Sequence, residues 1–199
     1  MDLETLYRRT MESWTDRILA VGPEQWAHTT PCLKWDVRAL VNHVVGEDLW
    51  TEPLVHGATI EEVGDRFDGD LLGSDPREAA LDAAERASRA VAEAMPKGNK
   101  VHLSYGDEDP DEYVRQLVAD QLVHGWDLAV AIGADTKFDP ELVHEVAAWF
   151  TDREDLYRAG GAIASRPGEV SADPQDQLLV AFGRDPRWRP PDGLGDNVP

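Results

Sequence analysis

Cysteine is almost absent. Cys32 stands alone among 199 residues, so no internal disulfide can form and no cysteine-based zinc knuckle can be built; any metal site must draw on histidine and carboxylate. Cys32 itself reads as a small packed hydrophobe rather than a catalytic thiol. Basic residues are scarce too. Nineteen Lys plus Arg face thirty-nine Asp plus Glu, a formal charge of −20, which opposes approach to phosphate backbones and anionic lipid surfaces. Neither nucleic acid nor a membrane is expected as a partner. Long apolar runs are also lacking, and no stretch approaches the roughly 18–20 residues a membrane span needs. The opening MDLETLYRRT has neither the basic nor the apolar region of a secretory signal, so a cytoplasmic location is expected.

What is present describes an ordinary globular chain, 42% hydrophobic and 29% charged. Its length suits one hydrophobic core, and the expected organisation is a single domain over residues 1–188 with a flexible tail over 189–199. Apolar spacing of three and four residues marks five helical segments. The first runs from about Leu3 to Val21 and stops at Gly22-Pro23. The second is capped by Asp36 and extends to about His56, with Pro53 a place where it kinks or ends early. The third follows Asp75-Pro76 through an Ala-rich stretch to Met95, and the fourth follows Asp109-Pro110 and closes at Gly133. The fifth covers roughly Pro140 to Tyr157. Between the third and fourth, KVHLSYGDED alternates briefly and reads as an extended loop or short hairpin. The fold class expected is all-α: an antiparallel four-helix bundle with an additional C-terminal helix.

The fourth helix carries the most chemistry. At 100° per residue, Tyr113, Leu117, Leu128 and Ala131 share a face with Asp120 and His124 in its middle. A buried carboxylate there needs a partner, and the four-residue spacing brings Asp120 and His124 together. On the second helix His43 borders the stripe Val37, Leu40, Val41 and Val44, with Glu47 one turn further on the same side. If the two helices face each other, His43, Asp120 and His124 converge as a two-histidine, one-carboxylate set suited to zinc, iron(II) or another first-row divalent ion, with positions left open. The same spacing equally suits a buried Asp120–His124 hydrogen bond beside an edge histidine. Asp127 could orient His124 as an acceptor, although a solvated charge is the plainer reading. His28, His56, His102 and His144 have no carboxylate at ligand spacing and read as surface or packing residues.

The segments TPCLKWDVRALVNHVVGE, DRFDGDLLGSDP, ADQLVHGWDLAVAIG and LLVAFGRDPRW together resemble actinobacterial proteins with the mycothiol-dependent maleylpyruvate isomerase metal-binding fold, within the DinB-like superfamily, and specifically a branch that carries GRDPxW near the C-terminus. The resemblance runs from about residue 5 to Trp188. It implies a four-helix bundle with metal ligands at the positions of His43, Asp120 and His124. The isomerase has glutamate where Asp120 stands, and this chain is expected to lack that enzyme's additional C-terminal domain, so maleylpyruvate isomerisation is not expected to carry over. Superfamily relatives are thiol S-transferases whose zinc binds mycothiol, bacillithiol or a similar thiol. The function this implies is a zinc-dependent thiol S-transferase or thiol-dependent isomerase, with nickel or iron(II) as alternative metals, mycothiol or a similar thiol as cosubstrate, and a small electrophile as its partner. Glu47 and Asp127 are the candidates to orient a ligand or move a proton. The alternative is a non-catalytic metal-binding protein or helical interaction module. Apolar Leu142, Val146, Trp149 and Phe150 on the fifth helix raise the prospect of a homodimer, although burial in the monomer is their plainer use.

Overall fold

The computed structural model describes residues 1–168 and 171–191. The chain is mostly helical: α1 (Leu3–Ala20), α2 (Val37–Val55), α3 (Ile60–Val63), α4 (Pro76–Ala94), α5 (Pro110–Ile132), α6 (Pro140–Phe150), α7 (Glu154–Ala159) and α8 (Pro174–Ala181), with one hairpin of β1 (Val101–Leu103) and β2 (Gly106–Glu108). The expected all-α class holds, and the alternating KVHLSYGDED segment forms the antiparallel hairpin, Val101 pairing Glu108 and Leu103 pairing Gly106. Among the described residues, no helix is long and apolar enough to cross a membrane.

Aspartate starts most of these helices. Asp36 accepts from the Ala39 amide, Asp75 from Glu78, Asp109 from Asp111, Asp139 from Glu141 and Asp173 from Gln175 and Asp176. Each such cap satisfies amides the helix cannot, worth about 1 kcal/mol. In four of the five, proline follows at the first helical position, where its missing N–H costs nothing. Gly133 closes α5 at φ +71°.

The second helix runs to Val55 with His56 as its cap, close to the expected end, and passes through Pro53; proline in a last turn removes only one internal hydrogen bond. Two expectations need correction. The fifth segment is two helices, because the chain turns after Phe150 and restarts at Glu154. The C-terminal region contains α8, whose Asp173-Pro174 start repeats the signal seen at three earlier helices. Of the tail expected at 189–199, residues 192–199 lie outside the described residues.

The long helices pack pairwise, α1 against α4 and α5 and α2 against α4 and α5. Alanines at 80, 83, 84, 87, 90 and 94 form the buried face of α4 and leave room for α2 to approach closely. Two hydrophobic clusters result. One holds Trp14, Ile18, Val37, Leu40, Val41, Val44 and Leu128; the other, larger, holds Leu6, Leu54, Val114, Leu117, Leu122, Trp126, Leu142, Phe150 and Leu179. On α2 the polar positions Glu47, Asp48 and Thr51 fall between Val45 of the first and Leu54 of the second. Leu142, Val146, Trp149 and Phe150 are all buried within the chain, so they are not a free dimer face.

Candidate metal centre

His43 projects from α2, and Asp120 and His124 lie one turn apart on α5. The structure brings all three together: His43 Nε2 is 3.5 Å from Asp120 Oδ2 and His124 Nε2 is 3.4 Å from Asp120 Oδ1. One ligand atom from each residue lies within 4.8 Å of the others. The histidine rings stand edge to face at 5.1 Å, and Trp35 leans over both, its ring 4.7 Å from His43 and 5.7 Å from His124.

Burial differs from the sequence expectation. Asp120 was expected to be buried, yet its side chain is 36% exposed. Its Oδ2 atom is nevertheless shut away without a hydrogen-bond partner among the described residues. Asp127, read as a solvated charge, is fully buried, and its Oδ2 lies 3.0 Å from His124 Nδ1.

Behind His124 the structure reveals partners that were not anticipated. Arg184 Nη2 donates to Asp127 Oδ2 at 2.8 Å and its Nε spans both oxygens at 3.1 and 3.2 Å. Cys32 is half-buried and packs against the smaller hydrophobic cluster, but it also has polar partners: its Sγ donates to Asp127 Oδ2 at 3.2 Å and accepts from Arg184 Nη2 at 3.4 Å. The loop bearing Cys32 and Trp35 is pinned locally: Thr30 Oγ1 donates to the Trp35 carbonyl, the Trp35 amide to the Cys32 carbonyl, and the Val37 amide to the His28 carbonyl. Arg184 had a signal in the GRDPxW motif, but nothing local ties a residue 57 positions away to Asp127.

Electrostatics follow this arrangement. Burial pushes the Asp120 carboxyl up, but the two imidazoles outweigh it and hold it well below the usual range. Burial lowers His124, yet Asp120, Asp127 and Cys32 together raise it well above an ordinary imidazole. Asp127 is raised by burial and lowered further by His124 and Arg184, ending below normal. Glu47 is pushed up by burial and then by the Asp120 charge. Asp48, completely buried on α2, is pushed well above the carboxylate range by desolvation despite a 2.6 Å bond donated by Gln121 Nε2.

A second trio, Cys32, His124 and Asp127, also has ligand atoms close together. Hydrogen bonds already engage it, because both Asp127 oxygens receive Arg184 and the Cys32 thiol donates to one of them. The trio His43, Asp120 and His124 instead contains a carboxylate oxygen, Asp120 Oδ2, that makes no hydrogen bond among the described residues, and it lies beside a cavity of about 650 Å³ lined by Trp35, Arg38, Asn42, His43 and Asp70. A larger groove of about 860 Å³ lies elsewhere, over Phe138, Val143, Phe150 and Leu178. The candidate metal groups among the described residues lie outside its lining.

Residues 7–129 match the mycothiol maleylpyruvate isomerase N-terminal domain family, so all three converging residues fall within the matched span. The chain belongs to this family. The family relates it to mycothiol and to metal binding, in keeping with the resemblance carried by the sequence motifs. Two uncharacterized proteins of Mycobacterium tuberculosis, from strains H37Rv and CDC 1551, are each 30% identical over 192 residues, covering 92% of this chain and 98% of theirs. No solved structure gives a significant match. Relative to the family domain, α6, α7, α8 and the Arg184 turn lie beyond the matched residues. His28, His56, His102 and His144 are not in either candidate metal group.

Proposed function

We propose that His43, Asp120 and His124 hold one divalent ion, zinc by the chemistry of the donors, with nickel and iron(II) as alternatives. We further propose that the protein is a metal-dependent enzyme acting on mycothiol or a similar low-molecular-weight thiol. The observation that carries this reading is that one ligand atom from each of His43, Asp120 and His124 lies within 4.8 Å of the others, with the buried Asp120 Oδ2 making no hydrogen bond among the described residues. Two nitrogens and one oxygen suit a borderline ion, and a three-ligand set leaves a position for substrate. When bound, the ion lowers the pKa of a coordinated thiol and so supplies a thiolate at neutral pH.

The protein's own groups divide the remaining work. His124 offers Nε2 to the site while Nδ1 faces Asp127, which orients the ring. Asp127 is committed to that contact and to Arg184, so it orients rather than transfers a proton. Glu47, one turn past His43 and raised by burial and Asp120, is suited to take the thiol proton and return it to the product. Trp35 and the cavity beside His43 provide a wall and a space for the thiol and its electrophile. Transfer of the thiol to the electrophile, or thiol-assisted isomerisation, are the reactions this supports.

A second reading follows from the same Glu47: were its carboxylate to occupy the remaining coordination position, the centre would be closed and the protein would bind metal without turnover. Cobalt substitution separates the two. Adding mycothiol to the cobalt-loaded protein is expected to produce a thiolate-to-metal charge-transfer band. A spectrum that ignores mycothiol would favour the closed centre, and a chain that takes up neither cobalt nor zinc would remove both readings.

A further inference from the structure

We propose that Arg184, in the turn beyond the family domain, is a positioning residue for the metal centre: its fork on Asp127 holds the His124 imidazole in the orientation a metal ligand requires. The inference rests on the reading of His124 as a ligand.

The contact is built rather than incidental. Buried Leu178 and Leu179 dock α8 into the larger core, and Phe182 stacks on Phe150 at 3.9 Å. At Gly183 the chain turns with φ +76°, and a side chain there would meet the Ala164 carbonyl oxygen at 2.7 Å and its Cβ at 2.9 Å, so glycine alone fits. The Arg184 amide then closes α8 on the Leu179 carbonyl at 2.8 Å. Its Nη1 is occupied by the Phe182 carbonyl at 3.0 Å, which aims the other edge of the guanidinium at Asp127. The next turn is fixed by the Trp188 amide on the Asp185 carbonyl at 2.9 Å.

The consequence for His124 follows from donor counting. A guanidinium only donates, so the Asp127 oxygens facing Arg184 act as acceptors. Asp127 Oδ2 then offers His124 Nδ1 an acceptor as well, and Nδ1 carries hydrogen. The ring must direct Nε2 toward Asp120 and His43, where it lies. Without the fork, Asp127 keeps only the Cys32 thiol and the imidazole as partners, and the mount of the ring is loosened. A buried ion pair is a poor source of stability compared with apolar packing, and a bidentate Arg fits a task of orientation.

The test is a zinc and cobalt titration of the full chain for wild type, Arg184→Lys and Arg184→Gln, alongside thermal unfolding of the same proteins. Arg184→Gln is expected to weaken zinc roughly 10- to 100-fold, the range for losing such an outer partner, and to shift the ligand-field spectrum of bound cobalt. Arg184→Lys keeps the charge but not the fork, and should recover part of the affinity with the spectrum still altered. A purely structural role would lower the unfolding temperature and leave the cobalt spectrum of the folded variants unchanged, which overturns the inference. Should Arg184→Gln fail to fold, Arg184→Lys decides: affinity and spectrum equal to wild type overturn it. Wild type that binds no metal overturns the ligand reading as well, and so is distinguishable from wild type that binds metal while both variants match it.

Discussion

Asp48 on α2 and Asp127 on α5 are both completely shielded from solvent, yet their surroundings drive them to opposite charge states. Asp127 meets an imidazole and a guanidinium and is held below the ordinary carboxylate range. Asp48 meets the neutral Gln121 amide, with the Asp120 and Glu47 charges adding to desolvation, and is pushed well above it. Burial sets the stakes for a carboxyl group, and the partner decides whether it keeps its proton. The protein therefore has an ionic network behind the candidate metal centre and a neutral polar cluster of Asp48, Gln121, Tyr7 and Tyr113 contributed by α1, α2 and α5. In the latter, Asp48 Oδ2, Gln121 Oε1 and both tyrosine hydroxyls have no hydrogen-bond partner among the described residues.

The largest expected effect lies on the ionic side. His124→Ala removes the residue shared by the proposed ligand set and the Asp127 network, and should abolish metal uptake. Mass spectrometry of protein dialysed against zinc should find about one ion per wild-type chain and none in the variant. Equal loading would show that another group holds the ion. In wild type the ion must displace the proton held at His124, so apparent zinc affinity should rise with pH.

Next in size is Asp127→Ala. It strands the largely buried Arg184 cation, and breaking a buried pair from one side costs about 3–5 kcal/mol, readable from urea unfolding of the metal-free protein. The sign of its pH dependence is fixed. Asp127 has a depressed folded pKa, so its contribution is present above the ordinary carboxylate value and is lost as pH falls through the depressed one. The gap between wild type and Asp127→Ala should narrow in acid.

Helical periodicity was enough to foresee the long helices and to pair Asp120 with His124 on one of them and set His43 at the edge of an apolar stripe on another, because apolar stripes and i, i+4 spacing are local; that the two helices face each other was only a condition of that reading. Asp-Pro starts were equally readable, and the same signal at Asp173-Pro174 marks α8, which a proline- and glycine-rich neighbourhood concealed. What the chain did not disclose locally is which charges are buried. Asp120, expected inside, is partly open, whereas Asp127, on the adjoining side of α5, is met by Arg184 in the turn after α8 and by the Cys32 loop. Those contacts span 57 and 95 residues, and helical periodicity carries no information about which distant segment closes over a helix face.

On the neutral side, Asp48→Asn tests the other half of the comparison. The folded pKa of Asp48 is raised, so wild-type stability is complete below the ordinary carboxylate range and declines as pH climbs through the raised value. Asparagine keeps an acceptor for Gln121 Nε2 and cannot ionise. The variant should match wild type in acid and exceed it on the alkaline side by on the order of 1–3 kcal/mol, the scale of an uncompensated buried polar group. Urea midpoints measured from acid to alkaline pH check this, and a constant offset at every pH would mean that the Asp48 pKa is the same in the folded and unfolded chains.

Tyr7→Phe should have the smallest effect. Tyr7 is 2% exposed and its hydroxyl sits beside Gln121 and Asp48 without a hydrogen bond of ordinary geometry among the described residues. Deleting a buried polar atom that has no partner removes a desolvation penalty while leaving the ring packed. The urea midpoint should then stay within about 1 kcal/mol of wild type, or rise. A loss beyond that would show that the hydroxyl is bonded in solution, through an ordered water or by rotation onto Gln121 Oε1. The neutral cluster would then be a satisfied network like the one around Asp127, and the contrast between the two regions would reduce to charge alone.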